Sequence, residues 1–395
     1  MKILNILRKY KKNLIGEQEG NLLEIRIDGN KLINNLSIFR KLFPHHHLAV
    51  VLKSNAYGHG LVEMGRFLDV RKEVAYFIVD SILEAKILRE YWISKPIIII
   101  GYVSKKAVYL LKKIKDCSLV VNSLEQAKFL SENINFSLVV HVKADTGMHR
   151  QGIEIEDIDK AIEFLEKNKK IRIEGLMSHL ADADGISQEP TLKQIELWKK
   201  AVKIFKNKIP SGLLHFSATA GSQYTSHGES NLIRVGIGAY GFDPTSQKKL
   251  GVDPHTNPIS VGVEPILSFW AKTINIKNIK EGESVGYNFT WKAEKETCLA
   301  TIPCGYYEGI PRILSNQGVL YYEDEPLKII GRISMNLTVV DASSVKDKIR
   351  IEDKIEIFSD NQNRANSIEN VASMCGTIPY EILVKLAPTI RRVIK

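Results

Sequence analysis

Leu48-Ala49-Val50-Val51-Leu52-Lys53-Ser54-Asn55-Ala56-Tyr57-Gly58-His59-Gly60 is the stretch from which the rest of the chain is read. It opens with an apolar run suited to a buried strand. The run stops at a lysine and falls into a small-residue turn with a glycine on each side of a histidine. A buried strand end makes a charged amine costly, so the pKa of Lys53 is expected to fall toward the range where the amine is a nucleophile. That suits a lysine that condenses with an aldehyde cofactor. A lysine at a strand end can instead carry its charge to solvent along its aliphatic stem, so the neighbouring sequence has to decide.

Working outward, the run at 48–53 is the first of eight short apolar runs. The others lie at 74–80, 96–101, 117–122, 136–143, 171–178, 213–217 and 232–236. Between them fall amphipathic patterns such as Ser81–Glu90 and Ile158–Glu166. Strand and helix alternating eight times predicts an α/β fold, a (β/α)8 TIM-type barrel, with an open parallel sheet as the alternative. The chemically interesting residues favour one end of the runs. Lys53 and Tyr57 follow the first, Asp145 to Arg150 the fifth, His179 the sixth and Thr219 the seventh, while Gly236 closes the eighth. In such barrels the loops at that face build the active site.

Ahead of the barrel, Leu22–Ile27 alternates like a half-buried strand, free to pack with a second domain. Asp28 is placed to cap a helix carrying Leu32, Leu36, Phe39 and Phe43 and ending before Pro44. After about Val261 the text changes to strand-like runs broken by Gly, Pro and Asn, with little helical pattern before Ser367–Met374. The expected organisation is therefore an N-terminal extension (1–20), a barrel (21–260) and a mainly β C-terminal domain (261–395). Gly251–Pro265, with its three prolines, reads as the linker.

Composition fits that picture. A chain of 395 residues suggests two domains. The net charge of +10 is spread along helix faces rather than gathered with aromatics, so no nucleic acid partner is expected. Cys117, Cys298, Cys304 and Cys375 are scattered without a C-x-x-C pair, which speaks against zinc and disulfides and for a reducing, cytoplasmic location. No metal site is expected. The first fifteen residues read as a short amphipathic extension, and no run is long enough for a membrane span.

The opening stretch resembles the pyridoxal-phosphate lysine segment of alanine racemases, Ala-Val-Val-Lys-Ala-Asn-Ala-Tyr-Gly-His-Gly, apart from Leu52 and Ser54. Further segments extend the resemblance from Asn21 to Arg392. These are Lys143-Ala-Asp-Thr-Gly-Met-His-Arg150-Gln-Gly152, Arg234-Val-Gly236-Ile237-Gly-Ala-Tyr-Gly241, Ser284-Val-Gly-Tyr287-Asn-Phe-Thr290, Cys304-Gly-Tyr306-Tyr-Glu-Gly309 and Gly331-Arg-Ile-Ser-Met335-Asn336.

The resemblance implies a homodimeric amino-acid racemase using pyridoxal 5'-phosphate, with composite active sites and an amino-acid substrate. Lys53 and Tyr287 would be the two catalytic bases. Tyr57, Thr219, Gly236, Ile237 and Tyr380 would bind the cofactor phosphate, Arg234 would face the pyridine nitrogen, and His179 would link Arg234 to the catalytic tyrosine. Arg150, Tyr306 and Met335 would meet the substrate, and Lys143 matches a lysine that is often carbamylated. Three positions depart from the usual pattern: Ala218 stands where Asn is common, Val235 where Pro is common, and Asn336 where Asp is common. The last changes the charge near the substrate mouth and keeps a broader racemase, acting on serine or lysine, as an alternative. A non-catalytic pyridoxal-phosphate carrier would share the barrel but lack the second domain. A purely structural surface role would leave Lys143 and Arg150 as ion-pair partners of Asp145.

Overall fold

The computed structural model describes residues 21–185, 187–244 and 262–395. The N-terminal extension and most of the linker expected over 251–265 lie outside the described residues.

All eight apolar runs are strands of one parallel sheet. They are β2 (His47–Val51), β3 (Val74–Val79), β4 (Ile97–Ile99), β5 (Cys117–Val121), β6 (Leu138–Lys143), β7 (Ile171–Met177), β8 (Leu213–His215) and β9 (Leu232–Val235). From β2 to β8 each pairs in parallel with the next, and β2 pairs with β9. A parallel bridge between Ala218 and Arg234, with Arg234 N–H donating to Ser217 O at 3.1 Å, joins the last gap and makes a barrel. Both faces of these strands are covered, which is why they read as unbroken Val/Ile/Leu runs rather than alternating ones.

The helices answer to local signals. Asp28 caps α1 (Gly29–Leu42), accepting from the N–H groups of Asn30 and Lys31 at 2.9 and 3.0 Å. This helix buries Leu32, Leu36 and Phe39 and ends ahead of Pro44, because a proline disfavours helical backbone in the residue before it. After α2 (Leu61–Asp69) comes α3 (Ile82–Glu90), which opens with a capping box between Ser81 and Glu84. Such a cap stabilises a helix by about 1 kcal/mol. Then follow α4 (Leu124–Asn133), α5 (Ile158–Lys167) and α6 (Glu189–Lys208).

The leading strand β1 (Leu23–Ile27) stays out of the barrel. It pairs antiparallel with β10 (Leu267–Lys272) and parallel with the strand Arg391–Ile394 at the chain's end. Those three belong to a six-stranded sheet with Lys354–Phe358, Val319–Tyr322 and Glu325–Lys328. A three-stranded sheet of Asn275–Ile279, Thr297–Ile302 and Thr338–Asp341 and a small ribbon of Ser284–Val285 with Trp291–Lys292 complete the β domain. Among the described residues no helix is long and apolar enough to cross a membrane.

One local conformation stands apart. After β2 the chain runs through four consecutive left-handed residues, Ser54 (φ 56°), Asn55 (57°), Ala56 (52°) and Tyr57 (53°). None is glycine, and each costs roughly 1–2 kcal/mol relative to right-handed backbone. The turn persists because its polar groups are met from several directions. Asn55 Oδ1 accepts from Leu61 N–H at 2.8 Å, and the buried His59 Nδ1 meets the carbonyls of Ala56 and Tyr57. Arg392, from the last strand of the β domain, donates Nε–H to Gly58 O at 3.1 Å. Gly58 itself admits no side chain, since a Cβ there would stand 2.0 Å from Leu383 O.

Candidate active site

Lys53 sits at the C-terminal end of β2, one residue beyond Leu52, whose N–H makes the last rung to Ile78 O at 2.7 Å. Burial lowers its pKa from the ordinary lysine value. Asp80 opposes the fall, Arg150 and Arg234 add to it, and Glu84 opposes it. Lys143, ending β6, is only 6% exposed, and its pKa falls to about 8 through burial and then through Arg150 and Arg234. Four cationic side chains from three strands and one loop thus share one mouth of the barrel, at the strands' C-terminal ends.

Arg234 on β9 is the most enclosed of them, at 3% exposure. Its guanidinium donates to the carbonyls of His215, Ser178 and Phe216 and to the ring nitrogens His215 Nδ1 (3.1 Å) and His179 Nδ1 (3.2 Å). Arginine has no acceptor, so both histidines must accept at Nδ1 and carry their proton on Nε2. The pKa of His179 falls to about 3, first because it is buried and next because Arg234, Arg150, Lys143 and Lys53 surround it. It is neutral at physiological pH.

The residues expected around a phosphate also converge. Thr219 Oγ1 accepts from the N–H groups of Gly236 and Gly238 at 3.1 and 3.3 Å. A Cβ on Gly236 would lie 2.9 Å from the Tyr57 hydroxyl and 3.9 Å from that of Thr219, so a side chain there would fill the cradle. Ile237 follows with its side chain buried. The Tyr57 ring packs on Tyr240 and on Tyr380, with centroids 5.2 and 5.9 Å away, and burial pushes its phenol up to about 12. Tyr380 comes from α8 (Pro379–Val384), which follows α7 (Ile368–Met374), so the β domain touches the barrel here.

With barrel, β domain and cradle in view, comparison with known proteins becomes informative. The profile described as "Alanine racemase, N-terminal domain" matches residues 27–244, and "Alanine racemase, C-terminal domain" matches residues 266–394. The chain belongs to the alanine racemase family. It is therefore an isomerase. An alanine racemase from Lactobacillus acidophilus is 33% identical over 363 residues, covering 90% of this chain and 92% of that one. One from Syntrophobacter fumaroxidans is 30% identical over 364 residues, covering 91% and 93%. The solved alanine racemase of Clostridium difficile 630 superposes with a TM-score of 0.85 at 27% identity, covering 96% and 97% of the two chains. That of Bartonella henselae, solved with covalently bound pyridoxal phosphate, has a TM-score of 0.79 at 26% identity and covers 95% and 100%.

Not every residue singled out for this racemase-family site meets the others within one chain. Arg150 is exposed on the loop after β6. Asp145 does not pair with it: the Asp145 carboxylate accepts from the N–H groups of Gly147, Met148 and His149 instead. Tyr287, Tyr306 and Met335 are 67%, 43% and 54% exposed on loops of the β domain. Among the described residues, the groups that set the Lys53 charge all come from the barrel. The loops carrying Tyr306 and Met335 are tied together: Tyr306 N–H donates to Ser334 O at 3.1 Å and Tyr307 N–H to Met335 O at 2.9 Å. Asn336 Nδ2 donates to the buried Glu308 carboxylate at 2.7 Å, which gives the departure from Asp a local cause, since a second carboxylate there would repel the first.

Sequence reading missed the support behind Arg234. His215 Nε2 meets His141 Nδ1 at 3.0 Å, and His141 Nε2 meets Glu174 at 3.2 Å. The hydrogen bond from His141 is the main cause that takes Glu174 down to about 2, against its partial burial. The signal was present, because His141 stands two residues before Lys143 on one strand and so shares its face.

Proposed function

We propose that the protein interconverts L-alanine and D-alanine with pyridoxal 5'-phosphate, as a cytoplasmic homodimer that supplies D-alanine for peptidoglycan. The observation that carries this reading is the one-sided cluster of Lys53, Lys143, Arg150 and Arg234 beside the Tyr57–Thr219–Gly236 cradle. The donor set fits the cofactor. Hydroxyls of Tyr57 and Thr219, the backbone at Gly236 and Ile237, and Tyr380 would hold the phosphate. Lys53 would bind the aldehyde carbon, and Arg234 would face the pyridine nitrogen and keep it from taking a proton. When bound, the cofactor draws electron density from the substrate and acidifies Cα–H.

The chain's own groups then do the rest. Arg150 is free to hold the substrate carboxylate with a planar, two-point grip. Lys53 Nζ takes or returns the Cα proton on one face, and Tyr287 Oη from a second copy does so on the other. The exposure of Tyr287, Tyr306 and Met335 supports their reaching a neighbouring site rather than their own. Incubating the pure protein with L-alanine and following D-alanine tests the reading. Appearance of D-alanine at a catalytic rate is expected, and serine and lysine run side by side decide between a strict and a broader racemase.

Lys143 completes the arrangement. Asn122 lies one step beyond the Val121–Val142 pair, beside Lys143, and its buried Nδ2 has no acceptor among the described residues. A carbamate on Lys143 would supply one. The amine, with its pKa near 8, is partly neutral at physiological pH, adds to carbon dioxide through a new N–C bond and loses a proton. Protein equilibrated with ¹³C-bicarbonate should show a carbamate resonance that Lys143→Ala abolishes. A signal that survives this substitution, or none in the parent, counts against the modification.

A further inference from the structure

We infer that Glu84 is a positioning residue for Lys53, its carboxylate fastening the start of the left-handed turn to helix α3. The inference rests on the reading of Lys53 as the cofactor lysine. As the third residue of α3, Glu84 has an ordinary reason to exist: Ser81 Oγ accepts from its N–H at 3.2 Å, and Glu84 Oε2 returns the bond by accepting from Ser81 N–H at 3.0 Å. The same oxygen also accepts from Asp80 N–H at 2.9 Å. That capping uses one carboxylate oxygen only.

The other oxygen leaves the helix. Glu84 Oε1 accepts from the N–H of Ser54, thirty positions earlier, at 2.7 Å, the shortest bond the carboxylate makes. Ser54 directly follows Lys53 and is the first residue with positive φ. The β2–β3 ladder ends at Leu52, so the carboxylate takes the backbone donor that the ladder no longer reaches. Charged acceptors make the stronger backbone hydrogen bonds. A side chain that clamps Ser54 N–H and two amides of the β3–α3 junction ties the Lys53 backbone to the neighbouring strand–helix unit. The Lys53 amine also feels this charge, among the acids Asp80 and Glu84 and the bases Arg150, Arg234 and Lys143, with His179 close by.

Three variants of the full-length protein separate aiming from helix capping. The apoprotein is given pyridoxal 5'-phosphate, and capture is followed by absorbance across pH. In capture the neutral Lys53 amine joins the aldehyde carbon and water leaves. Glu84→Gln cannot present acceptors to both sides, so the high-pH rate should fall on the order of 10- to 100-fold, as for other misplaced reacting groups. Its pH midpoint should move down, because a charge that favours the ammonium has gone. Glu84→Asp keeps the charge and shortens the reach, so its rate should fall while its midpoint stays. This second variant carries the test where Glu84→Gln does not fold. Ser81→Ala weakens the cap alone and should lower the melting temperature without changing either readout. If both Glu84 variants match the parent in rate and midpoint, Glu84 is only a cap and the inference is overturned. If the parent captures the aldehyde on another lysine, the reading of Lys53 falls and takes this inference with it.

Discussion

Lys53→Ala is expected to abolish both cofactor attachment and racemisation. The variant removes the one amine at the barrel mouth that follows directly on β2 and faces Asp80, Arg150 and Arg234 together. On the proposed reading, its loss takes away both the nucleophile that would anchor the cofactor and a proton carrier. The fall in rate should therefore exceed the roughly 10²–10⁴-fold that a general base alone contributes. Borohydride treatment of the parent protein should fix pyridoxal phosphate on the peptide containing Lys53, and on no peptide of the variant. A labelled peptide from any other lysine would defeat the assignment.

Tyr287→Phe should look different. It keeps the ring and leaves the barrel cradle untouched, so cofactor binding survives while racemisation drops by about 10²–10⁴-fold. In deuterated solvent the variant should still exchange the α-proton of D-alanine faster than it racemises it, because on the proposed reading Lys53 would work alone on that face. Because Tyr287 is 67% exposed in its own chain, its partner site is expected on a second copy. Mixing the inactive Lys53→Ala and Tyr287→Phe proteins should then restore part of the activity once subunits exchange, because one mixed site holds both bases intact. Wild-type racemisation by Tyr287→Phe would show that another residue partners Lys53, and proven exchange without recovery would exclude a shared site.

The barrel was legible because each of its strands is buried on both faces, leaving an apolar run that no surface strand would tolerate. Lys53, Lys143 and Arg234 could be read for the same reason: each interrupts or ends such a run. Leu22–Ile27 could be read as a strand, but its partners could not, since they lie at 267–272 and 391–394 and nothing local encodes that distance. The histidine chain behind Arg234 escaped because single buried histidines are common and only the paired tautomers make this one a unit. Glu84 lay inside the amphipathic pattern Ser81–Glu90, but its reach to Ser54 depends on a turn whose four left-handed residues before Gly58 are not glycines. Tyr287 could be named from its segment but not given a destination, because a second chain is needed to supply one.

The strand that includes Arg392 has a consequence for biosynthesis. Arg392 holds Gly58 O, yet it is made more than three hundred residues after the turn it secures. Strand β1 likewise waits for a partner made much later, since it pairs with Arg391–Ile394. During translation the eight barrel strands can assemble while the lysine turn still lacks one of its fastenings. Contacts this distant in sequence are slow to close. A nascent chain that stalls before Arg392 would therefore carry a barrel whose lysine turn is not fully fastened, so the proposed uptake of an aldehyde there would wait for the β domain.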